Sequence, residues 1–86
     1  MKLFDEVILT RDLPYEELKK IIWMERHIPK EGLKKGAKGA IVEIYTNPSL
    51  AYEVEFFDIS GKEIGLVTLE PHQIKLSLPK KQEDPL

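Results

Sequence analysis

The sequence predicts a small, mainly β domain with one α-helix inserted near its start. Residues 51–57 alternate large apolar side chains with Glu53 and Glu55, which is the period of a strand with one buried face. A turn at residues 46–49 separates this run from another that is rich in Val, Ile and Tyr, as in a β-hairpin. The helix is predicted from apolar residues at helical spacing between two prolines. A chain of 86 residues is expected to form one domain.

The first two elements are predicted to be a strand over residues 4–10 and a helix over about residues 15–27. The strand segment is rich in β-branched residues and contains no Gly or Pro. Pro14 suits the first helical turn, where a backbone N–H has no helical partner. Pro29 disfavours the helical conformation for the residue before it, so the helix is predicted to end there.

Four further strands are predicted after the helix, over residues 40–45, 51–57, 62–69 and 74–78. A tight turn at residues 58–61 and a short 3₁₀ turn at residues 71–73 separate the later ones. Five short antiparallel strands with a 3₁₀ turn before the last are typical of a small SH3-like barrel. We therefore expect one barrel domain over residues 1–78 and a flexible C-terminal tail over residues 79–86, a polar segment bounded by prolines.

The apolar surface of the predicted helix is wider than one stripe. Leu18 and Ile22 lie on one face, whereas Trp23 and Met24 extend around the helix beyond it. Such a helix either caps an open end of the barrel and hides both residues, or presents them to a partner, because Trp and Met are enriched in interface cores. The sequence leaves both alternatives open. The candidate partner-binding residues are Tyr15, Trp23 and Met24.

Charge is unevenly distributed along the chain, although the net charge is only −2. Residues 11–38 hold eight basic and five acidic residues, a net charge of +3, and residues 39–86 hold four basic and eight acidic residues, a net charge of −4. The basic side chains around the Gly-rich loop make a nucleic-acid contact conceivable. Acidic strands and a net negative charge count against it. The candidate residues for this contact are Arg26, Lys30, Lys34, Lys35 and Lys38.

No set of residues indicates catalysis, a metal site or a cofactor, so we expect a protein that is not an enzyme. Neither His27 nor His72 has a metal-ligand partner at a recognised spacing, and the chain has no cysteine. Glu53 and Glu55 share one face of a strand at a separation of roughly 7 Å, but glutamates on an exposed strand are ordinary solubility chemistry. No acid, base and nucleophile converge in the pattern.

The sequence predicts a cytoplasmic protein with no membrane contact. Acidic residues follow the first four residues, where a signal peptide would continue with apolar ones. The longest uninterrupted apolar run covers residues 21–24, which is far too short to cross a bilayer.

Several blocks of the sequence together resemble one family, the small bacterial proteins grouped as domain of unknown function 4926. The blocks are residues 4–14, 31–36 with Gly39, 42–45, 52–56 and 66–71, and the resemblance covers nearly all of residues 3–78. It implies a compact SH3-like barrel of bacterial origin, with no established activity and no catalytic residue to carry over. Family members tend to run from the first block directly into the second, so the resemblance implies that the helix between Pro14 and Lys30 is particular to this chain. Residues 32–45 are also vaguely similar to the KOW segment of ribosomal and transcription-factor barrels.

Three classes of function remain, and the first is a protein-interaction module or accessory subunit, for example in a toxin–antitoxin-like two-gene pair. A homodimer through Trp23 and Met24 is one form of this class. The alternative is a KOW-like nucleic-acid-binding domain, and an enzyme is the weakest of the three.

Overall fold

The computed structural model describes residues 1–25 and 27–77. Within these ranges the elements follow one another in this order: β1 (Glu6–Leu9), α1 (Tyr15–Ile21), β2 (Ile22–Trp23), β3 (Lys38–Tyr45), β4 (Ala51–Phe57), β5 (Glu63–Leu69), a 3₁₀ turn (Pro71–Gln73) and β6 (Ile74–Leu76). The Asn47–Pro48 peptide in the turn between β3 and β4 is cis. No helix of the described residues is long and apolar enough to cross a membrane.

The strands form one antiparallel sheet in the order β2-β5-β4-β3-β1-β6. The mainly β class is therefore confirmed. Within the described residues the sheet is open and has six strands, so the predicted count of five was wrong and the predicted closed barrel is not confirmed. The additional strand is β2, which the sequence pattern had placed in the helix.

The helix is shorter than predicted, because it ends at Ile21 rather than near residue 27. Ile22 already has extended backbone angles, with φ −96° and ψ 138°, and it pairs with Val67 of β5. Two β-branched isoleucines followed by Trp23 favour a strand once a partner edge is present. Main-chain pairing with β5 therefore outweighs the helical spacing of the apolar residues.

The core lies on one face of the sheet. Along β4 the residues alternate between buried Tyr52, Val54 and Phe56 and half-buried glutamates, as the period of two predicts. Leu18 of α1 is completely buried and packs the helix against this core. The cluster of buried apolar residues runs from Val7 in β1 to Ile74 in β6. The predicted tail at residues 79–86, like the predicted boundary at residue 78, lies outside the described residues.

A main-chain clamp, formed by two hydrogen bonds between Leu13 and Leu33, ties the segment before the helix to the loop before β3. The N–H of Leu13 donates to the carbonyl of Leu33 over 2.7 Å, and the N–H of Leu33 donates to the carbonyl of Leu13 over 2.9 Å. Both side chains are buried. Asp12 adds a further tie, since its Oδ1 accepts a 2.7 Å hydrogen bond from the N–H of Lys35.

Candidate functional site

Trp23 lies at the edge of the sheet and points away from the core. In the antiparallel pair of β2 and β5, Ile22 is opposite Val67 and Trp23 is opposite Leu66. Paired residues point to the same face of a sheet, and neighbours along a strand point to opposite faces. Ile22 therefore packs against the core with Val67, whereas Trp23 is 60% exposed. The alternative in which the helix caps the barrel and hides Trp23 is therefore wrong.

Met24, the next residue after Trp23, is also exposed to solvent. Its side chain is 73% exposed, and its backbone has a φ of 48°, in the left-handed region that non-glycine residues rarely adopt. This conformation costs roughly 1–2 kcal/mol for a residue with a Cβ. The chain therefore turns sharply directly after Trp23 and leaves two large apolar side chains in solvent.

A close backbone approach holds β2 in place. A Cβ added to Gly65 of β5 would lie 2.9 Å from the carbonyl oxygen of Trp23 and 3.0 Å from the Cα of Glu25. Only glycine leaves room for the chain to pass at this distance. Gly65 is thus the residue that permits the edge strand, a role that the sequence pattern does not indicate.

Tyr15, the third candidate, lies elsewhere. It begins α1 and is 36% exposed, with the Nζ of Lys19 5.5 Å from the centre of its ring. Trp23 instead lines a groove of about 600 Å³ together with Ile21, Leu50 and Thr68, and Tyr15 is not part of its wall. Neither Tyr15 nor Met24 lines the groove that contains Trp23, and Met24 adjoins Trp23 as its neighbour in the chain.

One ion pair forms part of the wall of this groove. Nη2 of Arg11 lies 2.5 Å from Oε2 of Glu17. The hydrogen bond from Arg11 lowers the pKa of Glu17, and the same contact raises the pKa of Arg11. Both groups are solvent-exposed, so the pair orients side chains more than it stabilises the fold.

Carboxylates occupy the outer face of the sheet beside Trp23. Leu66 is opposite Trp23 on one side and opposite Glu55 of β4 on the other. Glu53 shares the face with Glu55 and lies opposite Glu43 of β3. The hydroxyl of Tyr45 donates a hydrogen bond to Glu53, and the neighbouring carboxylates raise the pKa of this tyrosine.

Glu55 is a carboxylate of this face whose pKa is shifted. A hydrogen bond with the side chain of Glu63 raises its pKa, and partial burial and the charge of Glu63 raise it further. A raised pKa is what two neighbouring carboxylates produce when ionisation of both is unfavourable. Glu55 and Glu63 are therefore within hydrogen-bonding reach of each other.

The predicted basic candidates lie around a second groove, of about 850 Å³. Lys34 and Lys38 line it, and Lys30 and Lys35 are exposed on the same loop. Its wall is mixed in charge, because Glu6, Glu31 and Asp58 also line it, and the Nζ of Lys38 lies 3.9 Å from Oε2 of Glu6. Arg26, the fifth candidate, lies outside the described residues.

The two histidines are in separate places. His27 lines the larger groove, and Nδ1 of His72 lies 3.5 Å from Oε1 of Glu70. Over residues 1–25 and 27–77, no three side chains of the His, Cys, Asp and Glu types are grouped as a metal ion would need.

Sequence reasoning missed Leu66, which the pairing places between Trp23 and Glu55. The weak alternation of β5 left its outward face undecided, and only the register settles it. A signal for β2 was nevertheless present, because Ile22 and Trp23 are large residues of high β propensity directly before the loop.

The family model described as Domain of unknown function (DUF4926) matches residues 21–76. The chain belongs to this family. The match starts at the end of α1 and covers β2 to β6, so Trp23 and Met24 lie inside the family segment. The insertion of a helix particular to this chain, which the resemblance implied, is not confirmed by this match. Searches of the curated proteins and of the solved structures found no match.

Proposed function

We propose that this family member is a non-catalytic protein-interaction module that binds its partner through the exposed surface of Trp23 and Met24. The observation that carries the proposal is the outward position of Trp23 at the sheet edge, opposite Leu66. Large aromatic side chains are normally buried, and Trp and Met are enriched at the centres of interfaces. Two adjacent ones in solvent form an apolar patch that another protein can cover.

The fixed main-chain position of Trp23 supports the same proposal. The main chain of Trp23 is paired with β5, and Gly65 permits this close contact. A side chain presented by a paired strand loses little conformational freedom on binding, so more of its contact energy contributes to affinity. An accessory subunit in a two-gene pair, or a homodimer, would use the surface in the same way.

We also propose that the sheet is SH3-like in topology. The order β5-β4-β3-β1-β6, with a 3₁₀ turn directly before the last strand, supports this assignment. In that view β2 is an additional strand on the edge of β5. It carries the binding surface without altering the five-stranded arrangement.

The test is site-specific photocrosslinking in the cells from which the chain comes. A photoreactive phenylalanine analogue replaces Trp23 in one version and Ile59 in another. Ile59 is a matched control, because it is a fully exposed apolar residue in the turn after β4. We expect a discrete crosslinked species from position 23 and none from position 59. Equal or absent crosslinking at the two positions would contradict the proposal.

Nucleic-acid binding is the second candidate, and one observation favours it. Lys34 and Lys38 lie on the wall of the same 850 Å³ groove, where two ammonium groups could contact one backbone. Fluorescence anisotropy with labelled single-stranded RNA and DNA at about 50 mM salt tests it, because phosphate contacts are strongest at low salt. Binding that Lys34→Glu with Lys38→Glu removes would favour this candidate over protein contact.

A further inference from the structure

We propose that the partner carries Lys or Arg side chains beside an apolar anchor and docks across the outer face of β2, β5 and β4. This inference rests on the proposed function and specifies the chemistry of its partner. It combines two features of one face, an apolar edge and the charge of the strands next to it.

The apolar edge consists of Trp23 and Leu66. Their residues are directly opposite in the strand pair, so their Cβ atoms are about 5 Å apart. Leu66 is only half-buried. A partner side chain that covers Trp23 would therefore also contact Leu66.

The carboxylates of this face begin on β4, one strand further from Trp23 than Leu66. Glu55 is opposite Leu66, which places its Cα about 10 Å from that of Trp23, or two strand spacings. Glu53 follows on the same face, and Glu43 is directly opposite it. Like charges in a direct cross-strand pair are destabilising, so the fold itself does not favour this arrangement.

Acidic residues outnumber basic ones along strands β3, β4 and β5. Strands β4 and β5 contain no Lys or Arg, and the only one in β3 is Lys38 at its first residue, beside Glu6. The hydrogen bond with Glu63 of β5 raises the pKa of Glu55, and partial burial and the charge of Glu63 raise it further. These strands therefore contribute a net negative charge to the face, and a positive partner surface would complement it.

A cationic side chain gains from both features at once. A Lys or Arg that approaches the ring of Trp23 makes a cation–π contact, and one that reaches Glu53 or Glu55 makes a charge-assisted hydrogen bond. Nucleic acid and anionic lipid surfaces would be repelled by the same carboxylates. A basic protein segment is the occupant that the face fits.

The test uses a displayed library of random 12-residue peptides as the probe. The wild-type protein is the bait, and enriched peptides are measured against four purified variants: Trp23→Ala, Glu53→Gln, Glu55→Gln and the control Glu31→Gln. Glu31 is exposed and lines the other groove, so its variant makes the same charge change away from the proposed face. Circular dichroism of each variant confirms folding before binding is measured.

We expect enriched peptides to be net positive with at least one apolar residue. Trp23→Ala should weaken their binding at least about tenfold, and each Glu→Gln variant on the face should weaken it about two- to fivefold, with no change for the control. A rise in salt from about 50 to 500 mM should weaken binding further. Peptides that need Trp23 but are not basic, or that ignore both glutamates, would overturn this inference and leave the proposed function standing. An absence of peptides that depend on Trp23 would overturn the proposed function itself.

Discussion

Ile22 of β2 lies directly opposite Val67 of β5, and this pairing decides which way the next residue faces. Because Ile22 packs inward with Val67, Trp23 must point outward. In a helix the directions of the two side chains would differ by only about 100° around the axis, and both could contact the core. The surface that we propose as the binding site is therefore a product of strand pairing.

Alanine should cost more stability at Ile22 than at Trp23, although tryptophan is the larger residue. Ile22→Ala removes part of the core and should reduce the free energy of unfolding by roughly 2–3 kcal/mol, whereas Trp23→Ala should cost less than about 1 kcal/mol. Urea denaturation followed by circular dichroism measures both. A larger loss for Trp23→Ala would mean that the tryptophan is packed inside.

The clamp between Leu13 and Leu33 depends on Gly32, the residue directly before Leu33. Gly32 has a φ of 74°, and a Cβ there would lie 2.1 Å from the carbonyl oxygen of Leu13. We expect Gly32→Ala to destabilise the protein by roughly 2–4 kcal/mol, from backbone strain and from displacement of the clamp. Thermal or urea unfolding measures the loss.

Gly36 is the matched control for that substitution. It also has a positive φ, of 90°, but no atom lies within 4 Å of the position that a Cβ would take. Gly36→Ala should therefore cost only the backbone term, about 1 kcal/mol. Equal losses for the two variants would show that the contact with Leu13 is not what requires glycine.

The backbone conformation of Met24 can be tested by comparing two substitutions. Alanine keeps the cost of a Cβ in the left-handed region, whereas glycine removes it. Met24→Gly should therefore be about 1 kcal/mol more stable than Met24→Ala in urea denaturation. If alanine is the more stable of the two, residue 24 does not adopt the left-handed conformation in solution.

The pH dependence of stability should change when Glu55 is replaced. Its pKa is higher in the folded protein than in the unfolded chain, so between the two values the folded state binds more protons. The contribution of Glu55 therefore becomes less favourable as pH rises through its raised pKa. Glu55→Gln removes this contribution.

We expect the stability of Glu55→Gln relative to wild type to increase as pH rises from about 4 to 7, measured by urea denaturation at each pH. Other groups, such as Asp58 and Glu17, have lowered pKa values with the opposite sign, but they are present in both proteins and cancel in the difference. A difference that is independent of pH would contradict the raised pKa.

The sequence by itself determined the mainly β class, the alternation of β4 and the membership of the family. These features depend on local pattern: Tyr52, Val54 and Phe56 recur with period two, and that period is the same in any sheet. The identity of Trp23 and Met24 as candidate contact residues was also predicted from their size and apolar character.

Only the tertiary structure decided where those two residues are. Residues 21–24 are all apolar, so this run alone fits a helix or a strand, and the helical spacing of Ile22 with Leu18 favoured the helix, which was wrong beyond Ile21. The choice was made by residues more than 40 positions away, because Gly65 leaves room for the chain and β5 supplies the hydrogen bonds. The same long-range pairing placed Leu66 and Glu55 beside Trp23, which is why sequence could suggest the residues of the candidate surface but not assemble it.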